Sequence, residues 1–328
     1  MGVQESFIRI RKGRAMQWKR ILAGVDETPQ GVAAAVAGTR LGAALGAECM
    51  PVHAVREFWL EYSEEDMVQG VTDLQAAVVG SARDRISALL AEHVPQDVLQ
   101  RLVVRPGRAA VVLRDVGREL GADAIVLGGK HHSDIGRWFG GSTAHNAVRT
   151  IGLPVLVALP SSDGRLFQRI LAAVDLSDAA LPTGTTARQI AEAAGAKLRG
   201  LWVIEAPVPM PDLMPLLTQP DYTREAELVL RRRVWPVLGD SAETVTREGM
   251  VAETIEREAR DWGADVVVVG SHGKGWAERL ILGSVTERLL RALPCSLLVV
   301  PVKGGRVQRL APEVHKVRGQ RPSRRALR

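Results

Sequence analysis

The sequence predicts an α/β protein built from two repeated, doubly wound domains, each a mostly parallel five-stranded sheet flanked by helices. The first observation is that the chain says nearly the same thing twice. "RILAGVDETPQ" at 20–30 returns as "RILAAVDLSDA" at 169–179, an offset of 149. At that offset "LGAECMPVHAV" is answered by "AGAKLRGLWVI", and at an offset of 142 "GRELGADAIVLGG" is answered by "ARDWGADVVVVGS". A period near 150 residues is too long for a solenoid unit and reads as a duplicated domain. The second observation is that strand-like and helix-like stretches alternate within each copy, the pattern of a parallel sheet with crossover helices. The third is composition. Hydrophobic residues make up 46% and aromatics only 4%, rich in Ala, Val, Leu and Gly, which suits layered α/β packing better than a sandwich.

The second copy shows the order most clearly. Residues 170–174 are a short apolar strand, and 179–194 are an Ala-rich helical pattern closed by a glycine. A strand follows at 197–204. A proline-rich loop, 206–220, comes next; its apolar residues are expected either to pack over the domain's own edge, to cover the crevice or to meet a partner. Residues 221–238 are helical, 243–247 a strand and 252–261 a helix. Residues 266–269 are four consecutive valines, as expected of a central strand buried on both faces. A helix over 284–292 is stopped by Pro294, and 296–300 form the last strand. The expected organisation is a basic extension (1–17), a first domain (18–160), a linker (161–168), a second domain (169–303) and a basic, disordered tail (304–328).

Charge is unevenly divided. The formal net charge is +6, yet residues 1–20 carry +5 and residues 304–328 carry +7, leaving about −6 for the middle. Basic blocks of this kind are usually solvated, so nucleic-acid binding through the tails is not the expectation. No apolar run reaches the roughly 20 residues needed to span a bilayer, and no signal peptide opens the chain. The two cysteines, Cys49 and Cys295, sit in strand-like segments and offer no disulfide framework. A cytoplasmic protein without membrane contact is expected.

The chemistry-bearing stretch is "VVVVGSHGKGWAERLILGSVTERLL", 266–290. Gly270, Gly273, Gly283 and Ser284 give the spacing G-x2-G-x9-G-S, after a valine strand and before an amphipathic helix. Glycines let backbone approach a ligand closely. First-turn amides of a helix lack partners and carry positive partial charge, so phosphate suits such an end. The Ser284 hydroxyl is placed to donate to a phosphoryl oxygen, or to cap the helix in a capping box with Glu287; both can hold together. The run is neither a Walker loop nor the dinucleotide G-x-G-x-x-G. Asp175 ends the first strand of its copy and Gly270 the fourth. If those strands are neighbours, both face the crevice where strand order reverses, the usual ligand position in such sheets.

With these residues in view, the sequence resembles the universal stress protein family, in tandem. The likeness includes "ILAAVD", "GAD" before the fourth strand, the G-x2-G-x9-G-S run in its "GSHG" form, and "LPCSLLVVP" at the close. It covers about 18–160 and 169–303. In ATP-binding members the acid ending the first strand contacts the ribose or nearby atoms, which implies Asp175 with Ala173 and Val174 beside it. Backbone at the end of the second strand meets adenine, implying Val203. The glycine loop and following serine hold phosphates, implying Gly270, Gly273, Gly283, Ser284 and the backbone of Val285, with His272 near the phosphates. Read from the residues alone, Asp175 can equally be a turn acid ahead of the next helix. The resemblance also implies ATP, alone or with Mg, as cofactor, and pairing of the two copies through their last strands as an intramolecular pseudo-dimer. Two chains can assemble further as a homodimer, and a protein partner is expected without a name.

The first copy departs from the motif. Asp26, Gly128, Gly141 and Ser142 match Asp175, Gly270, Gly283 and Ser284, but His131 stands where Gly273 does. If that position needs a positive φ, the side chain costs roughly 1–2 kcal/mol, so a weaker first-domain site follows. His145 replaces Glu287 and removes the capping pair. His131, His132 and His145 are not expected to hold a metal, since adjacent histidines diverge and no familiar spacing surrounds them. Nothing in either copy forms a catalytic constellation, so no catalytic residue is named; the resemblance allows at most slow ATP hydrolysis or autophosphorylation. Two functions of different class remain: a regulatory nucleotide-binding protein of the stress response, or a scaffold of that response needing no nucleotide.

Overall fold

The last strands of the two repeats decide how the halves meet. A computed structural model describes residues 18–55, 65–132, 137–160, 166–205, 220–272 and 282–302. The first repeat runs β1 (Arg20–Gly24), α1 (Pro29–Leu45), β2 (Glu48–Val55), α2 (Glu65–Leu90), α3 (Gln96–Gln100), β3 (Val103–Pro106), α4 (Ala109–Leu120), β4 (Ala124–His132), β5 (Arg137–Gly140), α5 (Ser142–Thr150) and β6 (Val155–Ala158). The second runs β7 (Arg169–Val174), α6 (Ala180–Ala194), β8 (Lys197–Glu205), α7 (Pro220–Val229), a π-helical turn (Leu230–Val234), α8 (Trp235–Leu238), β9 (Glu243–Gly249), α9 (Val251–Trp262), β10 (Val266–Gly270), α10 (Ser284–Arg291) and β11 (Ser296–Val300).

Strand order is β3-β2-β1-β4-β6-β11-β10-β7-β8-β9, so each repeat contributes five strands in the same internal order and one continuous sheet results. Pairing along this path is parallel within each repeat. At the seam β6 and β11 pair antiparallel, Leu156 opposite Leu298, and the polarity of the sheet reverses there. The last strands of the repeats therefore join the two halves, as the resemblance implied. β5 lies off this path and folds back on β4.

Local chemistry explains the elements. Thr28 caps α1 by accepting from the Gly31 amide, with Pro29 supplying a preset φ at the first turn. Gly46 and Gly195, equivalent by the repeat, end α1 and α6 in the left-handed conformation with φ 67° and 65°. Val266–Val269 are all buried because helices cover both faces of β10. One face holds α1 and α6 over Ile21, Val126, Ile170 and Val268, and the other holds α4, α5, α9 and α10 over Leu22, Ile125, Leu171 and Val267. Both core layers contain residues of both repeats. Trp18 and Phe167, again equivalent, are buried ahead of β1 and β7.

The "GAD" aspartates work at the amino edge, away from the crevice. Asp123 accepts from the amides of Lys19 and Arg20, and Asp265 from those of Gln168 and Arg169. Burial outweighs those amides and holds the Asp265 carboxyl above its ordinary range. Nearby, buried Glu258 accepts from Arg199 at 2.6 Å and Arg247 at 2.9 Å, and Arg199 stacks 4.5 Å from the Trp262 ring centre. Desolvation pushes the Cys49 thiol up to about 11 and that of Cys295 up to about 12, so neither is a thiolate near neutrality.

Three expectations change. The helix expected over 221–238 is interrupted by the π turn; Pro236 has no N–H to continue an α-helical ladder, and the chain restarts as α8 with that proline in its first turn. Phe167, expected in a linker, is core. His131 lies in the extended strand β4, and among described non-glycine residues only Phe167 has a positive φ, so the strain expected at His131 is absent. Residues 1–17, 206–219 and 303–328, where the basic ends and most of the proline-rich loop fall, lie outside the described residues. No helix among the described residues is long and apolar enough to cross a membrane.

Candidate functional site

At the carboxyl edge of the second repeat, β7 lies between β8 and β10. Val174 pairs with Trp202, and Val268 with Ala172. Counting onward along these registers brings Asp175 level with Val203, and Gly270 level with Val174. Strand order reverses between β7 and β10, so Ala173, Val174, Asp175, Val203 and Gly270 gather at one switch point. α10 then begins at Ser284, its amino end tied back to the same edge because the Gly283 amide donates to the Ser271 carbonyl at 2.9 Å.

Asp175 is the turn acid, one of the two things open to it in the sequence. One carboxylate oxygen, Oδ1, accepts from the Ser177 amide at 2.9 Å and from its hydroxyl, and the Ser177 hydroxyl accepts from the Ala179 amide ahead of α6. Its other oxygen makes no hydrogen bond among the described residues and remains available at a half-buried position. Asp26 repeats this turn with Thr28 but is exposed.

The capping box expected of "SVTE" does not form. Gly283 occupies the cap position with φ −62° and ψ 144°, and Ser284 is already the first helical residue, exposed. The Glu287 carboxylate pairs with Arg291 instead. No carbonyl among the described residues accepts from the first-turn amides of Ser284, Val285 and Thr286. An exposed hydroxyl and three amides without a carbonyl partner among the described residues, at one helix end, suit an anion.

Gly270 serves packing first. A Cβ there would stand 2.5 Å from the Ala179 Cβ, so the glycine lets the start of α6 close on β10. Gly128 does the same for α1, where a Cβ would meet the Gln30 carbonyl oxygen at 2.2 Å. His272 is half-buried, with Nδ1 2.8 Å from the Ser271 hydroxyl. Gly273 lies outside the described residues. Two residues the sequence reading passed over, Ser271 and Thr286, are buried hydroxyls within this site.

In the first repeat a hairpin stands at the loop position. β4 runs on to His132 and pairs with β5, Gly129 opposite Gly140 and His131 opposite Trp138. The alkyl chain of Lys130 lies over Gly141, 3.1 Å from where a Cβ would stand, and so packs on the cap of α5 beside Ser142. Gly140 backs against α10 of the other repeat, its missing Cβ 3.0 Å from the Leu290 side chain. Among the described residues, no group of three or more His, Cys, Asp or Glu is placed to hold a metal ion.

The family model described as the universal stress protein family matches residues 17–158 and again 166–301. The chain belongs to that family. A universal stress protein of Thermus aquaticus is 32% identical over 139 residues, 41% of this chain and 99% of its own. One of Mycolicibacterium smegmatis is 24% identical over 288 residues, 85% of this chain and 96% of its own, and so matches across both repeats. The solved universal stress protein of Archaeoglobus fulgidus DSM 4304 shares the fold with a TM-score of 0.58 at 18% identity, over 87% of this chain and 99% of that one.

Proposed function

We propose that this tandem universal stress protein is a regulatory adenine-nucleotide-binding protein of the stress response, holding ATP at the switch point of its second repeat. The observation that carries this reading is the amino end of α10: three first-turn amides with no carbonyl partner among the described residues and an exposed Ser284 hydroxyl, at the same sheet edge as the Asp175 oxygen that makes no hydrogen bond among those residues. Phosphates would meet the helix end, the ribose would meet Asp175, and the backbone near Val203 would face adenine. At the first repeat Ser142 is exposed in the same way, but a β4–β5 hairpin leads into α5 and the Lys130 alkyl chain packs on Gly141, so we assign Asp26, Gly128, Gly141 and Ser142 the weaker site and that repeat a mainly structural role. Its hairpin is also what favours the second reading, a scaffold without nucleotide. The expected chain divisions and a cytoplasmic location belong to the same proposal.

The test is the adenine nucleotide released per chain when freshly purified protein is denatured in acid, for the wild type and for Ser284→Asp and Ser142→Asp variants. The introduced carboxylate favours a helix amino end and leaves Tm unchanged or slightly raised, yet repels phosphate within a few ångströms. The expectation is about one nucleotide per wild-type chain, affinity weakened more than about tenfold in Ser284→Asp, and no change in Ser142→Asp. Two nucleotides per chain would give the first repeat a working site. None, with no uptake at millimolar ATP, would leave the scaffold.

A further inference from the structure

The two repeats diverge at a pair of hydroxyls. In the second, Thr286 is 3% exposed and its Oγ1 donates to the Gly270 carbonyl at 2.7 Å. Ser271 is 4% exposed. Its amide donates to the Val300 carbonyl at 2.8 Å, its carbonyl accepts from the Gly283 amide at 2.9 Å, and its hydroxyl accepts from the Val302 amide at 3.2 Å. The end of β10 is thus bound both to the start of α10 and to the chain leaving β11. At the offset of 142, the first repeat has Gly129 for Ser271 and Ala144 for Thr286, and neither offers a hydroxyl. There the strand does not stop: Gly129 pairs with Gly140, and a hairpin leads directly into α5.

The physical link is the carbonyl at the strand's end. A carbonyl partly withdrawn from water takes a partner where it finds one. In the second repeat Thr286, one turn into α10, supplies that partner from the helix and ends the strand at Gly270. The same bond fixes the distance between β10 and the first-turn amides of α10. From this geometry we infer that Thr286, with Ser271, is a positioning residue of the second-repeat nucleotide site, holding the α10 amides at the switch point without touching ligand. The inference rests on the reading of that site as nucleotide-binding.

The test uses full-length Thr286→Val, which keeps the shape and removes the hydroxyl, and Thr286→Ser, which keeps the hydroxyl. Two readouts are taken: ATP affinity by titration calorimetry, and amide hydrogen exchange of α10 from Glu287 onward in nucleotide-free protein, with α9 as internal reference. The loss of one buried hydrogen bond is expected to weaken ATP about tenfold in Thr286→Val. α10 should exchange faster with α9 unchanged, and Thr286→Ser should return both readouts to within about threefold of wild type. Equal affinity in wild type and Thr286→Val would overturn the inference, as would Thr286→Ser behaving like Thr286→Val, since packing of the methyl would then be what matters. If the wild type itself takes no ATP, the reading of the site fails instead. Exchange then tests the tie alone, and unchanged α10 protection in Thr286→Val overturns it.

Discussion

At the residue scale, the same side chains serve the fold and the site, and the fold takes the larger share. Gly270 stands in the G-x2-G-x9-G-S run, where a glycine suggests an approaching phosphate. Its immediate neighbour is the Ala179 methyl, 2.5 Å from where a Cβ would stand. Asp175 gives one oxygen to the Ser177 turn, and its other makes no hydrogen bond among the described residues. Spacing in the sequence found both residues, but it could not divide ligand from packing, because that depends on how closely α6 lies on β10. Gly270→Ala should therefore destabilise the protein by about 1–3 kcal/mol through overpacking, before any effect on binding. The double variant with Ala179→Gly should recover more than half of that loss. Urea midpoints of the two variants check this, and a double variant no better than the single would place the clash elsewhere.

Elements were the most legible scale. The strand expected at 296–300 has the same bounds in the structure, and the helix after Gly283 begins where its glycine-serine pair put it. Alternating burial and glycine stops carry that information locally. The β4–β5 hairpin was not legible, because Gly129 and Ala144 matter for the hydroxyls they lack, and because its packing on α10 lies across the seam. At the same seam His145, on α5, faces Glu287 and Arg291 of α10. Burial holds its pKa below the ordinary histidine value; Glu287 opposes that shift, while Arg291 and Arg149 add to it. The unfolded chain then takes up this proton more readily than the folded one, so the contribution is fully present above about pH 6.5 and is lost as pH falls toward the folded pKa. His145→Gln should flatten the fall in urea stability between about pH 8 and pH 5.5. Parallel slopes for variant and wild type would show that His145 does not titrate against this seam.

For the whole molecule, the decisive fact is that duplication produced one sheet and not two. β6 and β11 close the gap antiparallel, and each core layer draws on both repeats, with Leu156 and Leu298 buried opposite one another. Neither half can lose its last strand without exposing the other's. The two repeats should therefore unfold together, giving a single calorimetric transition in which the calorimetric and van't Hoff enthalpies agree. Leu298→Ala leaves a cavity at the seam and should cost about 2–5 kcal/mol, lowering the midpoint of that single transition without splitting it. Two resolved transitions in the wild type would mean that the seam is weaker than its burial implies and that each repeat is its own folding unit. One transition makes the first repeat, whose hairpin packs on α10 through Gly140 and Leu290, a structural partner that the second cannot do without.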